Sequence, residues 1–86
     1  MNITKAKQIT NEFKIIYEMR YRRGKALIIC KLKNGKDVTE AVDTTIYTGN
    51  RKNAKAIFNV VVNNEVSPCH IKDVLADLCV EYLNNR

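Results

Sequence analysis

Residues 26–37 read Ala-Leu-Ile-Ile-Cys-Lys-Leu-Lys-Asn-Gly-Lys-Asp, and they contain the clearest strand and turn signals of the chain. Residues 26–33 are rich in Ile and Leu, which favours a strand. Asn34-Gly35 follows at once, and Asn-Gly between two strand-like runs is a strong hairpin signal because both residues tolerate a positive φ. Residues 37–48 are dense in Val, Thr, Ile and Tyr, so we expect them to form the returning strand.

The segment before this hairpin contains a third strand signal. Arg22-Arg23-Gly24-Lys25 predicts a turn. Apolar residues alternate with polar ones over residues 13–21, which favours a strand, although Ile16 and Tyr17 could instead extend a preceding helix. In residues 3–12 apolar positions recur at helical spacing, so a short N-terminal helix is predicted there; they are Ile3, Ala6, Ile9 and, just beyond, Phe13.

Two helices are predicted after the hairpin. Thr48-Gly49-Asn50 closes the last strand and can cap a helix over residues 51–63, where apolar residues recur at i, i+3, i+4 and i+7. The run Val60-Val61-Val62 favours a strand instead, and this alternative stays open. Ser67 and Pro68 suit the start of a helix over residues 67–83, with Leu75, Leu78 and Cys79 on its apolar stripe.

Together these elements predict a single α+β domain over residues 1–86. Its expected parts are a short N-terminal helix, a small antiparallel sheet of three strands and two C-terminal helices. The chain contains no apolar run of the roughly 20 residues that a membrane span needs. Its first residues contain no secretion signal, so we expect a cytoplasmic protein without a membrane partner.

The positive charge is concentrated in the first two thirds of the sequence. Residues 1–55 contain thirteen Lys or Arg and five Asp or Glu, a net of +8, whereas residues 56–86 have a net of −2. Seven basic residues and no acidic residue lie between Glu18 and Asp37. This asymmetry predicts one positive face, for which nucleic acid is the commonest partner. A solvated face that only keeps the protein soluble is the alternative.

No catalytic or metal motif is found in the sequence. One His and three scattered Cys match no zinc spacing, and we expect no metal and no cofactor. Cys69 and His70 are adjacent, so on a helix they would point about 100° apart and could not act together as nucleophile and base. Cys30, Cys69 and Cys79 each lie in an apolar run and are interpreted as free, buried packing residues. The sequence therefore does not favour an enzyme.

Two basic segments supply the candidate binding residues. The first contains Arg20, Arg22, Arg23 and Lys25, and the second contains Arg51, Lys52 and Lys55 at the predicted start of a helix. Free N–H groups make such a helix start a favourable place for a phosphate. Tyr17 and Tyr21 are candidates for stacking on bases, or else for packing within the sheet.

The run Arg51-Lys52-Asn53-Ala54-Lys55 is similar to the Lys-Lys-x-Ala-Lys motif of double-stranded RNA-binding domains. The predicted order of helix, strands, basic run and helix in residues 3–63 also resembles that family. The resemblance implies that the side chains of this run contact phosphates on both sides of a groove of a duplex. A three-stranded sheet with a helix, as in the arm domains of recombinases, fits the same elements and also implies duplex binding.

The resulting hypothesis is a non-catalytic module that contacts phosphates of duplex RNA or DNA with little direct reading of sequence. The alternative is a small interaction or inhibitor protein, of a kind found in mobile elements, that binds a larger protein partner. In that case the C-terminal helix, or a homodimer interface, would be the contact surface.

Overall fold

The computed structural model of the chain describes residues 1–84, which form an antiparallel sheet covered on one face by helices. The strands are β1 (Asn2–Gln8), β2 (Phe13–Arg22), β3 (Lys25–Asn34) and β4 (Asp37–Tyr47), and they lie in the order β1-β2-β3-β4. Helices α1 (Arg51–Asn63) and α2 (Ile71–Cys79) follow, and a π-helical turn, Val80–Asn84, extends α2. The α+β class is therefore confirmed.

The core lies between the helices and one face of the sheet. Alternate side chains of β2 and β3 point toward the helices, so Ile15, Tyr17 and Met19 are buried beside Ile28 and Cys30. The helices meet them with an apolar stripe of fully buried side chains: Ala54, Ile57, Phe58, Val61, Ile71 and Leu75. We call the opposite side of the sheet, which no helix covers within residues 1–84, the open face.

The predicted N-terminal helix and the count of three strands are both wrong. Asn2–Gln8 is instead a fourth strand, because its backbone pairs with β2 from Asn2 opposite Arg20 to Gln8 opposite Lys14. The apolar residues with helical spacing do not share a buried face: Ile3 is half-buried, and both Ala6 and Ile9 are exposed. Pairing with the neighbouring strand overrides this weak local pattern.

The two predicted helices are present, although one begins later than expected. Helix α1 spans residues 51–63 as predicted, which excludes the strand alternative for Val60-Val61-Val62. Helix α2 begins at Ile71, because residues 67–70 form a turn in which the His70 N–H donates to the Ser67 carbonyl. Leu75 and Leu78 are buried as predicted, while Cys79 is half-buried.

The central hairpin is confirmed, with its turn one residue further along than Asn-Gly indicates. Asn34 still pairs with Asp37, so Gly35 and Lys36 form the two-residue loop. Gly35 has a φ of 61°, in the left-handed region that glycine tolerates without cost. The strand over residues 13–21 is also confirmed, since β2 covers Phe13–Arg22.

Candidate functional site

The turn between β2 and β3 presents an arginine at its tip. Arg22 pairs with Lys25, so the loop consists of Arg23 and Gly24 alone. Their φ values are 51° and 80°, both left-handed. Two-residue hairpin loops with positive φ at both positions match the twist of the flanking strands. The exposed Arg23 therefore lies at the tip of a tight two-residue turn, not in a long loop.

Backbone hydrogen bonds join this turn to the start of α1. The N–H groups of Thr48 and Gly49 donate to the Gly24 carbonyl at 2.8 and 3.3 Å. Asn50 then caps α1, since its side-chain oxygen accepts a hydrogen bond from the Asn53 N–H at 2.8 Å. Because Arg51 and Lys52 follow directly, the two basic segments predicted from the sequence lie at the same end of the molecule.

We call this region the basic end. It consists of Arg20, Arg22, Arg23, Lys25, Arg51, Lys52 and Lys55, and all seven residues are exposed. Lys55 lies one turn further along α1 than Arg51. The predicted site residues therefore share one end of the fold, although they come from three separate elements and a turn.

Four of these residues surround a cavity of about 340 Å³ on the open face. Its lining is Arg20, Arg22, Arg23, Lys25, Leu27 and Thr45. The strand register explains the grouping, because Arg20 lies opposite Leu27 and Leu27 lies opposite Thr45. Sequence reasoning missed Leu27 and Thr45. Residues 26–30 are all apolar and contain no alternation, so the sequence has no signal for the face on which Leu27 lies. The burial of Ala26, Ile28 and Cys30 on the other face shows it.

Little negative charge neutralises the basic end. Within residues 1–84 one ion pair is found, between Arg20 Nη2 and Glu18 Oε2 at 3.4 Å, and the Arg20 side chain is 60% exposed. Such exposed pairs are weak and exchange readily with solvent. The Lys25 ammonium lies 5.6 Å from the centre of the Tyr47 ring, a cation–π contact that leaves its charge available.

The two tyrosines proposed for base stacking are used in the fold. Tyr17 is fully buried, and its hydroxyl donates to the Val66 carbonyl at 2.7 Å. Burial raises the pKa of Tyr17 far above its ordinary value. Tyr21 is half-buried on the covered face, and its hydroxyl accepts from the Gly24 N–H at 3.1 Å. Tyr17 cannot stack on a base, whereas the exposed aromatic at this end is Tyr47.

The cysteines are free, but they occupy three different environments. Cys30 is buried, and burial raises the pKa of its thiol to about 12. Cys79 is half-buried, with its pKa also raised by burial. Cys69 is exposed, so its interpretation as a buried packing residue is wrong; its Sγ lies 3.1 Å from the Ser67 hydroxyl.

Neither a metal cluster nor a membrane span is found in the part of the chain that the structure describes. No group of three or more His, Cys, Asp or Glu side chains in residues 1–84 could hold a metal ion. In the same range no helix is both long enough and apolar enough to cross a bilayer.

Comparison with known proteins adds no relative. No family model, no curated protein and no solved structure matches this chain.

Proposed function

We propose that this protein is a non-catalytic module that binds nucleic acid through phosphate contacts at the basic end. The observation that supports this proposal is the convergence of two basic segments, about 30 residues apart in the sequence, at one end of the fold. Seven exposed cations with a single weak ion pair among them would release counterions from a nucleic acid on binding. Duplex RNA or DNA is the favoured partner.

The start of α1 is well arranged for a phosphate. Its first residues expose free backbone N–H groups, and Arg51 and Lys52 add two positive charges there. Cations at this position oppose the helix dipole, and no acidic residue in the first turn offsets them. An anionic ligand would relieve that unfavourable charge arrangement. This is also the part of the chain that resembles the basic motif of double-stranded RNA-binding domains.

The test is binding to labelled duplex RNA, duplex DNA and single strands at several salt concentrations. We expect affinity to fall steeply with salt. In a plot of the logarithm of the binding constant against the logarithm of the salt concentration, each phosphate contact on duplex DNA adds about 0.9 to the downward slope. Replacing Arg51 and Lys52 by Gln should reduce that slope by about two and weaken all sequences alike. Fluorescence anisotropy measures both quantities.

The matched control is the double replacement of Lys33 and Lys36 by Gln. It removes the same charge from the β3–β4 hairpin, which lies about 30 Å away at the other end of β3. We expect this variant to keep nearly the whole salt slope of the wild type. Equal losses in both double variants would mean diffuse charge attraction rather than a site, and absence of wild-type binding at low salt would refute the proposal.

A protein partner is the second candidate, and one observation favours it. Val80 and Tyr82, in the π-helical turn after α2, are 60% and 39% exposed. Exposed apolar side chains of this size can anchor a protein contact. If nucleic acid does not bind, replacement of Val80 and Tyr82 by Ser should abolish capture of the partner, while the Arg51 and Lys52 variant should retain it.

A further inference from the structure

The cavity at the basic end combines an apolar floor with a positive rim. Leu27 is half-buried at its base, and Thr45 adds a hydroxyl and a methyl group beside it. The aliphatic stems of Arg20, Arg22 and Lys25 complete the apolar surface while their charged groups stay in water. Such a surface suits an amphiphilic anion better than a bare inorganic ion.

The positive surface at the basic end is interrupted along the open face, before lysines resume further along at Lys14, Lys31 and Lys33. The next row of side chains toward the middle of the sheet contains Glu18, Ile29 and Asp43, which pair in register across β2, β3 and β4. This row lies about 7 Å from the row of Arg20, Leu27 and Thr45. A phosphate backbone that ran along the strands from the cavity would meet the carboxylates of Glu18 and Asp43 first. The cavity side of this row therefore has room for one short anionic unit.

We propose that this cavity binds a single nucleoside monophosphate group, which extends the proposed function by naming what enters the cavity. The phosphate lies on Arg22, Arg23 and Lys25. The base packs on Leu27 and on the guanidinium plane of Arg20, an arrangement that arginine favours. The cavity volume of about 340 Å³ lies at the low end of the range for small-ligand pockets, as expected for one nucleotide.

The charge of the ligand distinguishes a terminal phosphate from an internal one. A phosphomonoester carries roughly −1.5 to −2 charges near neutral pH, whereas an internal phosphodiester carries about one. Three cations placed on one phosphate, Arg22, Arg23 and Lys25, therefore favour the monoester. This group occurs both at a phosphorylated strand end and in a free nucleoside monophosphate, and the remainder of a strand would lead away over the β2–β3 turn toward Arg51 and Lys52.

The test compares one labelled oligonucleotide with a 5′-phosphate, with a 3′-phosphate and with hydroxyl groups at both ends. We expect one phosphorylated form to bind about tenfold or more tightly than the unphosphorylated form, because it gains charge-assisted hydrogen bonds. Arg22→Gln and Lys25→Gln should bring that ratio close to one. Lys33→Gln, at the far end of the same strand, should leave it unchanged.

Adenosine 5′-monophosphate serves as a competitor and identifies the source of the group. Displacement of the phosphorylated strand by the free nucleotide supports a nucleotide pocket in general, and failure to displace it supports recognition of strand ends. Leu27→Ala should lower the ratio as well. If that variant does not fold, the exposed Arg22→Gln variant decides the result.

Two outcomes overturn the inference and can be told apart. Equal binding of phosphorylated and unphosphorylated strands refutes the terminal pocket but leaves phosphate binding at the basic end intact. Absence of binding to every strand, together with no binding of adenosine 5′-monophosphate, refutes the inference and the proposed function together.

Discussion

Arg23 occupies a position for which arginine is a poor choice. Its φ of 51° places it in the left-handed region, where residues with a Cβ other than Asn and Asp are disfavoured by about 1–2 kcal/mol. Asn-Gly is the sequence that such a two-residue loop prefers, whereas this chain has Arg23-Gly24. The left-handed conformation therefore makes Arg23 a residue whose replacement can separate stability from binding.

The first prediction follows from that strain. Arg23→Asn should raise the free energy of unfolding by about 1 kcal/mol, because Asn adopts the left-handed conformation readily. The same change should weaken nucleic-acid binding and lower the salt slope by about one, since one phosphate contact is lost. Urea unfolding and anisotropy measure the two effects.

Arg22→Asn is the matched control for this variant. It removes an equal charge next to the turn, from a β2 position that pairs with Lys25 in the ladder. It should weaken binding without raising stability. A more stable Arg23→Asn protein that binds as tightly as the wild type would show that the arginine at the tip touches no ligand.

At the scale of elements, local pattern predicted those strands and helices that have a strong period of their own. In strand β2, buried side chains alternate with more accessible ones from Ile15 to Met19, because the helices cover one face of the sheet. Strand β1 lacks this signal, since it is an edge strand whose covered-face positions include Lys5 and Lys7 opposite Tyr17 and Ile15. Its strand character depends on pairing with β2, a tertiary contact that no local period encodes.

The start of α2 shows the same limit. Ser67 and Pro68 have the composition of a helix start, yet Ser67 contacts Cys69 and Pro68 is buried in the preceding turn. The carbonyl of neighbouring Val66 accepts a hydrogen bond from the Tyr17 hydroxyl. This bond connects the loop between the helices to the sheet. The loop that is held in this way precedes α2, which begins only at Ile71. Tyr17 and Val66 are 49 positions apart in the sequence, so only the folded structure brings them together.

The second prediction tests how firmly α2 is attached. Leu75 is a residue of α2 whose side chain is fully buried in the core. Leu75→Ala should therefore lower the free energy of unfolding by about 2–5 kcal/mol. Val80→Ala, at a position 60% exposed just beyond α2, should change stability by no more than about 0.5 kcal/mol. Both values come from urea titration. A negligible cost for Leu75→Ala would mean that α2 is a detachable arm, which favours the protein-partner function.

For the molecule as a whole, charge composition predicted one positive face, whereas the structure has the strand cations on the open face and the other three on α1, which packs on the opposite face. The excess of cations before residue 56 is visible in the sequence, and all seven candidate residues are indeed exposed. Their meeting at one end depends on the hydrogen bonds from Thr48 and Gly49 to Gly24, which join distant parts of the chain. The acidic row of Glu18 and Asp43 also becomes visible only once the strand register is known.

The last prediction concerns the stability of the whole fold in alkali. Tyr17 and Cys30 lie opposite each other in β2 and β3, and both contact the Val66 carbonyl, at 2.7 and 3.7 Å. Burial raises the pKa of the Cys30 thiol from 9.0 to about 12 and also raises the pKa of Tyr17 above 10.0. Both groups therefore stay neutral in the folded protein at pH values where the unfolded chain has begun to lose these protons.

The sign of the effect follows from proton linkage. Well below the ordinary thiol pKa of 9.0, both groups are protonated in both states and contribute no pH dependence. As pH rises further, the unfolded state loses protons that the folded state keeps, so the free energy of unfolding must fall. Urea titrations from about pH 7 to about pH 11 should show this fall in the wild type.

Tyr17→Phe should be less stable at neutral pH, through loss of the hydrogen bond to Val66, but should show a shallower fall of the free energy of unfolding in alkali. Tyr47→Phe, at a position 69% exposed, should keep the wild-type slope. Identical slopes in all three proteins would mean that the titration of Tyr17 is not linked to unfolding, and the prediction would be wrong.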